Sequence, residues 1–296
     1  MRDISWDLLQ GAVDLHYHGY PEVSLDVLCA HEDVENLRMA RDAGMRGIVV
    51  KSHMWPTMDK VHYLSQMVEG LDIFSSISLN TSTGGVRGYV AESAVRQGAK
   101  VIWLPTWSSR NDMEKNVVIN FMRNNLEMCK RIVPEDCLCI CKEDGSLTEG
   151  MMEVLEVVQA NDVLLATGHI SCAESMAVFR EAKSRGIRKL VFTHPFGRSI
   201  GADVEIMKEA VGYGALVEFT FLSTLPTRAA FSVNVIADTI KELGAENCVL
   251  TSDHFNSWSP SVSEMMRLFV TCLLDRGIPE QDIRTMIVEN PVRLLY

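Results

Sequence analysis

No apolar run in the 296 residues reaches the ~18 needed to cross a bilayer as a helix. The opening segment, MRDISWDLLQ, carries acids early and has no apolar core of the kind a secretory signal needs. Basic clusters are missing too: 28 Lys and Arg stand against 39 Asp and Glu, a formal net charge of −11. That balance excludes nucleic acid or an anionic membrane as the main partner, since both are bound by grouped cations. The eight cysteines never form a C-x-x-C pair, which speaks against a redox dithiol or a zinc ribbon. Cys137, Cys139 and Cys141 alternate as one face of a strand would place them, and read as small apolar side chains in a reducing compartment. A cytoplasmic protein is expected. There is no linker, no low-complexity tract, and no G-x-G-x-x-G turn after the first strand. One domain over residues 1–296 is therefore expected, large enough to bury a core without disulfides.

What the sequence does contain is a recurring local pattern: an amphipathic helix, a glycine break, then a short apolar strand. It occurs in RDAGMRGIVVKS, RQGAKVIWLPT, KSRGIRKLVFTH, GYGALVEFTF and KELGAENCVLTSD. Gly44, Gly98, Gly186 and Gly244 fall where the residue closing a helix turns left-handed. The apolar stretches that follow are too short and continuous for amphipathic helices, and read as parallel strands covered on both faces. With VDLHYH, DIFSSISL and DVLLATGH they make eight strands, near 13–18, 47–52, 72–79, 100–105, 162–168, 188–193, 214–220 and 247–252. Helical patterns lie between them, including 33–43, 86–97, 149–160, 172–185, 227–243 and 261–275. Strict alternation implies a parallel sheet, and eight such units in a chain of this length match the α/β class as a (β/α)8 TIM barrel. A doubly wound open sheet accounts for eight even units less well. The spacing breaks once, where CLCICKEDGSL predicts a small inserted strand or hairpin around 136–148. PEQDIRTMIVENPVRLLY predicts a closing helix.

In such a barrel the C-terminal ends of the strands build the site. The first strand ends Asp14-Leu15-His16-Tyr17-His18, the fifth Thr167-Gly168-His169, the sixth Thr193-His194-Pro195 and the eighth Thr251-Ser252-Asp253. Two residues apart on a strand means one face, so His16 and His18 point the same way. Any one of these histidines alone reads as a hydrogen-bonded polar residue. Four histidines and an aspartate, all at strand ends, point instead to a divalent transition metal: zinc foremost, with manganese, iron, cobalt or nickel compatible with the same donors.

This ordered set, H-x-H on strand one, His on five, His on six and Asp on eight, resembles the amidohydrolase superfamily of metal-dependent hydrolases. GAKVIWLPT, LLATGHIS, LVFTHPF and ENPVRLL are similar to one largely uncharacterised branch of it. The resemblance implies that His16, His18 and Asp253 hold one ion. It implies that His169 and His194 hold a second, or that one of them binds metal while the other orients substrate. Asp253 would accept a proton from water as it attacks a carbonyl or phosphoryl centre. Many binuclear members bridge their metals with a carboxylated Lys, a Glu or a Cys at the end of strand four. Here that strand ends Trp103-Leu104-Pro105-Thr106, and the second strand ends Val50-Lys51-Ser52-His53. Lys51 is thus open to three readings: a carbamate ligand, a cation pairing a substrate oxyanion, or a salt-bridged structural residue.

Around these lie further candidates. His53 reads as a metal or substrate contact, or as a loop cap. Asn80 and Arg87, beside the Gly84-Gly85 pair, read as substrate-binding. Glu218 reads as a partner to a metal-bound His or as an internal ion pair. His31 and His62 have no case, and His254 matters only through its neighbour Asp253. Trp55, Trp107 and Trp258 read as pocket walls or as covers of the barrel mouth. The expected activity is hydrolysis of an amide, cyclic amide, lactone or ester in a small molecule, by a protein for which the sequence leaves a homo-oligomer open. A metal-dependent non-oxidative decarboxylase and a phosphoesterase are the alternatives, with a non-enzymatic metal binder behind them.

Overall fold

The computed structural model describes residues 4–226 and 231–296. Its eight strands are β1 Val13–His18, β2 Gly47–Lys51, β3 Asp72–Ser78, β4 Ala99–Trp103, β5 Leu164–Ala166, β6 Leu190–Phe192, β7 Leu216–Thr220 and β8 Cys248–Thr251. They follow one another in a single sheet in sequence order, and the pairings recorded between them are parallel. Helices alternate with the strands, giving the (β/α)8 barrel topology. Every expected strand is present, most of them shorter by one to three residues. Six of the eight are buried along their whole length, as strands covered on both faces must be.

The helices obey local signals. Ser171 and Glu174 form a reciprocal cap: the Ser171 hydroxyl accepts from the Glu174 backbone, and the Glu174 carboxylate accepts from the Ser171 backbone at 3.0 Å. The helix expected over 227–243 runs Val233–Leu243; residues 227–230 lie outside the described residues. The closing segment is Glu280–Arg284, one wider turn at Thr285–Glu289, then Asn290–Leu295. The Asn290 amide donates to the carbonyls of Ala245 and Cys248 at 3.0 and 2.7 Å, which ties this segment to the start of β8. Around 136–148 the chain makes a short hairpin carrying one antiparallel bridge, Cys141 to Leu147, and no regular strand. The alternation of Cys137, Cys139 and Cys141 therefore does not mark a strand face. All eight cysteines are free. No helix among the described residues is long and apolar enough to cross a membrane.

The chain forms two compact units interleaved in sequence. One comprises residues 1–51, 59–75 and 218–296, and the other residues 52–58 and 76–217. The first holds β1, β2, β8, the start of β3 and the end of β7. The second holds β4, β5, β6, the end of β3 and the start of β7.

Candidate metal centre

In the first unit the chemistry starts from β1. His16 and His18, two residues apart on β1, bring their rings together with centroids 5.1 Å apart, and they and Asp14 are buried. His16 Nδ1 lies 2.9 Å from Glu218 Oε1, and His18 Nδ1 lies 3.0 Å from Glu22 Oε1. With a carboxylate facing each Nδ1, the Nδ1–H form of either ring leaves its Nε2 lone pair available to an ion. Those two Nε2 atoms are 3.2 Å apart, and Asp253 Oδ1 lies 3.2 Å from the one and 3.4 Å from the other. Lys51 ends β2, in register with His18, and its Nζ donates to His16 Nε2 at 2.9 Å.

This set fits a divalent ion on two counts. Donors of a tetrahedral zinc at ~2.0–2.1 Å stand ~3.3 Å from one another, and the three separations here straddle that value. The formal charges are also suited to a cation, because the carboxylates of Glu22, Glu218 and Asp253 gather around these two imidazoles. Removing charges from water without compensation is costly. A histidine fixed by a carboxylate behind it is the arrangement that orients a metal ligand.

The proton equilibria follow the same surroundings. Burial pushes Lys51 below the ordinary range of an ammonium, against the pull of Asp253, Glu218 and Glu22. Burial also lowers His16, opposed by Asp253. For His18 burial is outweighed by the Glu22 charge and by hydrogen bonds to Asp253 and Glu22, and the ring ends above its usual value. Asp14 is pushed up to about 7 by burial, although it accepts from Ser252 and from the His16 and Ser252 backbones. His254, beside Asp253, is lowered to about 4 by burial and then by His18. Its Nε2 accepts from the Asn36 amide at 3.2 Å, so it serves the packing of this unit.

The second unit repeats the device. His169 Nδ1 donates to Asp112 Oδ2 at 3.1 Å, leaving its Nε2 lone pair 3.2 Å from His194 Nε2. Gly168, before His169, has φ +59, and a Cβ there would lie 2.2 Å from the Leu104 carbonyl oxygen. Only glycine fits. His194 and Asp253 both have positive φ, 24° and 51°. An aspartate tolerates that region, whereas a histidine there is held by its surroundings.

The other candidates fall out as follows. His53 is buried; its Nδ1 meets Thr106 Oγ1 at 2.9 Å and its ring stands edge-on to His169, centroids 5.9 Å apart. The Asn80 amide donates to the His53 carbonyl and to Thr106 Oγ1 and accepts from the Thr106 backbone and Ser108 Oγ. Those contacts knit three strand-end loops together. Arg87 is exposed and precedes the helix Gly88–Arg96. Trp107 is buried and donates to the His53 carbonyl, while Trp55 and Trp258 are exposed. His31 pairs with Glu35 and His62 with Gln66. Glu218 lies behind His16, its Oε1 2.9 Å from Nδ1. Glu22 and Asp112 were not marked from the sequence. Their only local signals are that Glu22 follows His18 by four residues and that Asp112 sits three after the helix cap Ser109.

Several solved structures share this fold across almost the whole chain. The fold matches an amidohydrolase from Pseudomonas aeruginosa with TM-score 0.67 and 13% identity, covering 100% of this chain and 98% of that one. A lactonase template engineered for organophosphate hydrolysis matches with TM-score 0.62 and 15% identity, covering 98% and 97%. An organophosphorus hydrolase from Deinococcus radiodurans matches with TM-score 0.60 and 16% identity, covering 98% and 94%. No curated protein matches the sequence. Residues 11–218 match the family described as "Family of unknown function (DUF6282)", and the chain belongs to that family.

Proposed function

We propose that the protein is a metal-dependent hydrolase acting on a lactone, ester, amide or cyclic amide of a small molecule. The observation that carries this is the convergence of His16 Nε2, His18 Nε2 and Asp253 Oδ1 within 3.2–3.4 Å of one another, each imidazole backed by a buried carboxylate. His16, His18 and Asp253 would hold one ion, and His169 with His194 a second, zinc being the best match to these donors. A bound ion supplies Lewis acidity, activating water and polarising the electrophilic oxygen. Asp253 accepts the proton released on attack. Lys51 either carries a carbamate that joins the ligand set or, as an ammonium, pairs an oxyanion that develops on the substrate. That the matched folds include a lactonase and an organophosphorus hydrolase favours an ester-like electrophile over a carboxylate to be decarboxylated. A phosphotriester is the second reading, carried by that same likeness. The protein is further proposed to be cytoplasmic and to take small-molecule partners only.

The test is to load the purified protein with zinc, manganese or cobalt, count the metal by elemental analysis, and assay a panel. The panel holds γ- and δ-lactones, aryl esters, cyclic amides, anilides and aryl phosphotriesters. One or two equivalents of metal and hydrolysis abolished by chelator and restored by metal are expected. Protein that takes up no metal in supplemented medium sinks the reading.

A further inference from the structure

We propose that Asp112 is the residue that makes His169 a metal ligand, by dictating which of its ring nitrogens carries the proton. This rests on the metal-centre reading above and adds to it a specific residue outside the ligand set. Asp112 is wholly buried in the helix Arg110–Lys115, and its two carboxylate oxygens have different tasks. Oδ1 accepts from the backbone N–H of Ile119 at 2.8 Å. Oδ2 accepts from Ser199 Oγ at 2.9 Å and from His169 Nδ1 at 3.1 Å.

The rest of the same turn clamps the histidine from behind. Ser109 Oγ and Asn111 Nδ2 both donate to the His169 carbonyl at 2.9 Å, and Asn111 also donates to the Ser199 carbonyl. This bracket fixes the His169 backbone, and so the point from which its ring reaches Asp112. With a carboxylate facing Nδ1, the proton sits on Nδ1, and Nε2 presents a lone pair towards His194 Nε2 at 3.2 Å. A metal binds the nitrogen that has no proton.

Asp112→Asn separates this role from simple packing, because it changes one atom and keeps the shape. The Ile119 N–H is backbone in the helix Val118–Asn125 and needs an acceptor, so the asparagine oxygen must stay on that side. Its NH2 group then faces His169 Nδ1 and donates to it. The imidazole proton is driven to Nε2, where the metal would bind. The opposite amide orientation sets two donors against each other at Ile119 and is disfavoured.

The experiment is long-range proton–nitrogen correlation NMR on metal-free, 15N-labelled protein, with His169 assigned by its loss in His169→Gln, together with zinc titration. Wild type should show His169 as the Nδ1–H tautomer. Asp112→Asn should show Nε2–H and a ~10–100-fold weaker affinity for the zinc ion that depends on His169. Ser199→Ala, which removes a packing neighbour but leaves the carboxylate, should keep the wild-type tautomer. Wild-type His169 found as Nε2–H overturns the proposal without any variant. So does an Asp112→Asn protein equal to wild type in tautomer and affinity. Wild type that binds no zinc refutes the metal reading itself, whatever the tautomer, which keeps the two failures apart.

Discussion

Gly168→Ala should damage the protein far more than a glycine-to-alanine change with the same backbone demand and no neighbour. Gly168 has φ +59 and Gly186 has φ +75, so an alanine at either adopts a left-handed conformation. That costs ~1–2 kcal/mol, offset by ~0.4–1 kcal/mol from stiffening the unfolded chain. At Gly186 a Cβ meets nothing within 4 Å, so the account ends there, near 1 kcal/mol of lost stability. At Gly168 the Cβ would stand 2.2 Å from the Leu104 oxygen and 2.8 Å from that of Pro105, both backbone atoms. Backbone cannot rotate away, and forcing extra volume into packed surroundings costs a further ~1–3 kcal/mol.

Urea unfolding of the two variants against wild type therefore should give a gap of ~1–3 kcal/mol between them. The displacement also reaches the site. The His169 backbone donates to the Pro105 carbonyl at 2.9 Å, and relief of the clash pushes β5 away from that loop. Gly168→Ala should lose the metal that depends on His169, while Gly186→Ala keeps it. Two variants within ~0.5 kcal/mol of each other, about the scatter of benign substitutions, would refute the steric account of why glycine precedes His169.

Three more outcomes follow from the first unit. Asp253→Asn keeps a ligand oxygen but cannot take a proton, so metal content should survive while turnover falls ~10²–10⁴-fold; retention of half the wild-type kcat removes Asp253 from the mechanism. Lys51→Ala and Lys51→Arg should both lose activity, since a planar guanidinium replaces neither a carbamate nor a compact ammonium. Short carboxylic acids plus metal should restore Lys51→Ala if a carbamate is the active form, and small alkylamines if the ammonium is; near-normal activity without either makes Lys51 structural. Zinc returned to chelator-treated protein at a hundredfold excess over its Kd should raise stability by ~2.7 kcal/mol. His16→Ala with His18→Ala should abolish most of that gain in a chain whose circular dichroism still reports the barrel, and a zinc response equal to wild type would exclude these residues as ligands.

What could be read from the sequence is what local order dictates. Glycine breaks and short apolar runs located all eight strands, because a buried parallel strand must be apolar on both faces and a helix must end before it. The parity of His16 and His18 followed from the period of a strand, and parallel register set Lys51 beside His18. What could not be read depends on partners distant in sequence. His169 and Asp112 are 57 residues apart, and nothing in the run Ser109-Arg110-Asn111-Asp112 tells which strand end it will bracket. Asn80 was legible as a polar residue following the third strand. That its amide would be consumed by His53, Thr106 and Ser108 is a property of three loops meeting. Around 136–148 the sequence left strand and hairpin open, and the chain makes the hairpin, with the single bridges Cys141–Leu147 and Ser109–Leu138 in place of a ladder.

The two units reach one arrangement by different means. In the first, the supporting carboxylates come from β7, as Glu218, and from the loop after β1, as Glu22. In the second the carboxylate is Asp112, on a helix. In each, an imidazole is held through Nδ1 so that its Nε2 lone pair lies 3.2 Å from another imidazole Nε2. A barrel gains little stability from such groups, because buried ion pairs roughly break even against well-packed apolar side chains. The positive φ of His194 and Asp253 adds strain at the same positions. Buried carboxylates and strained backbone thus fall on the same few residues, a cost to stability that a role at the site accounts for.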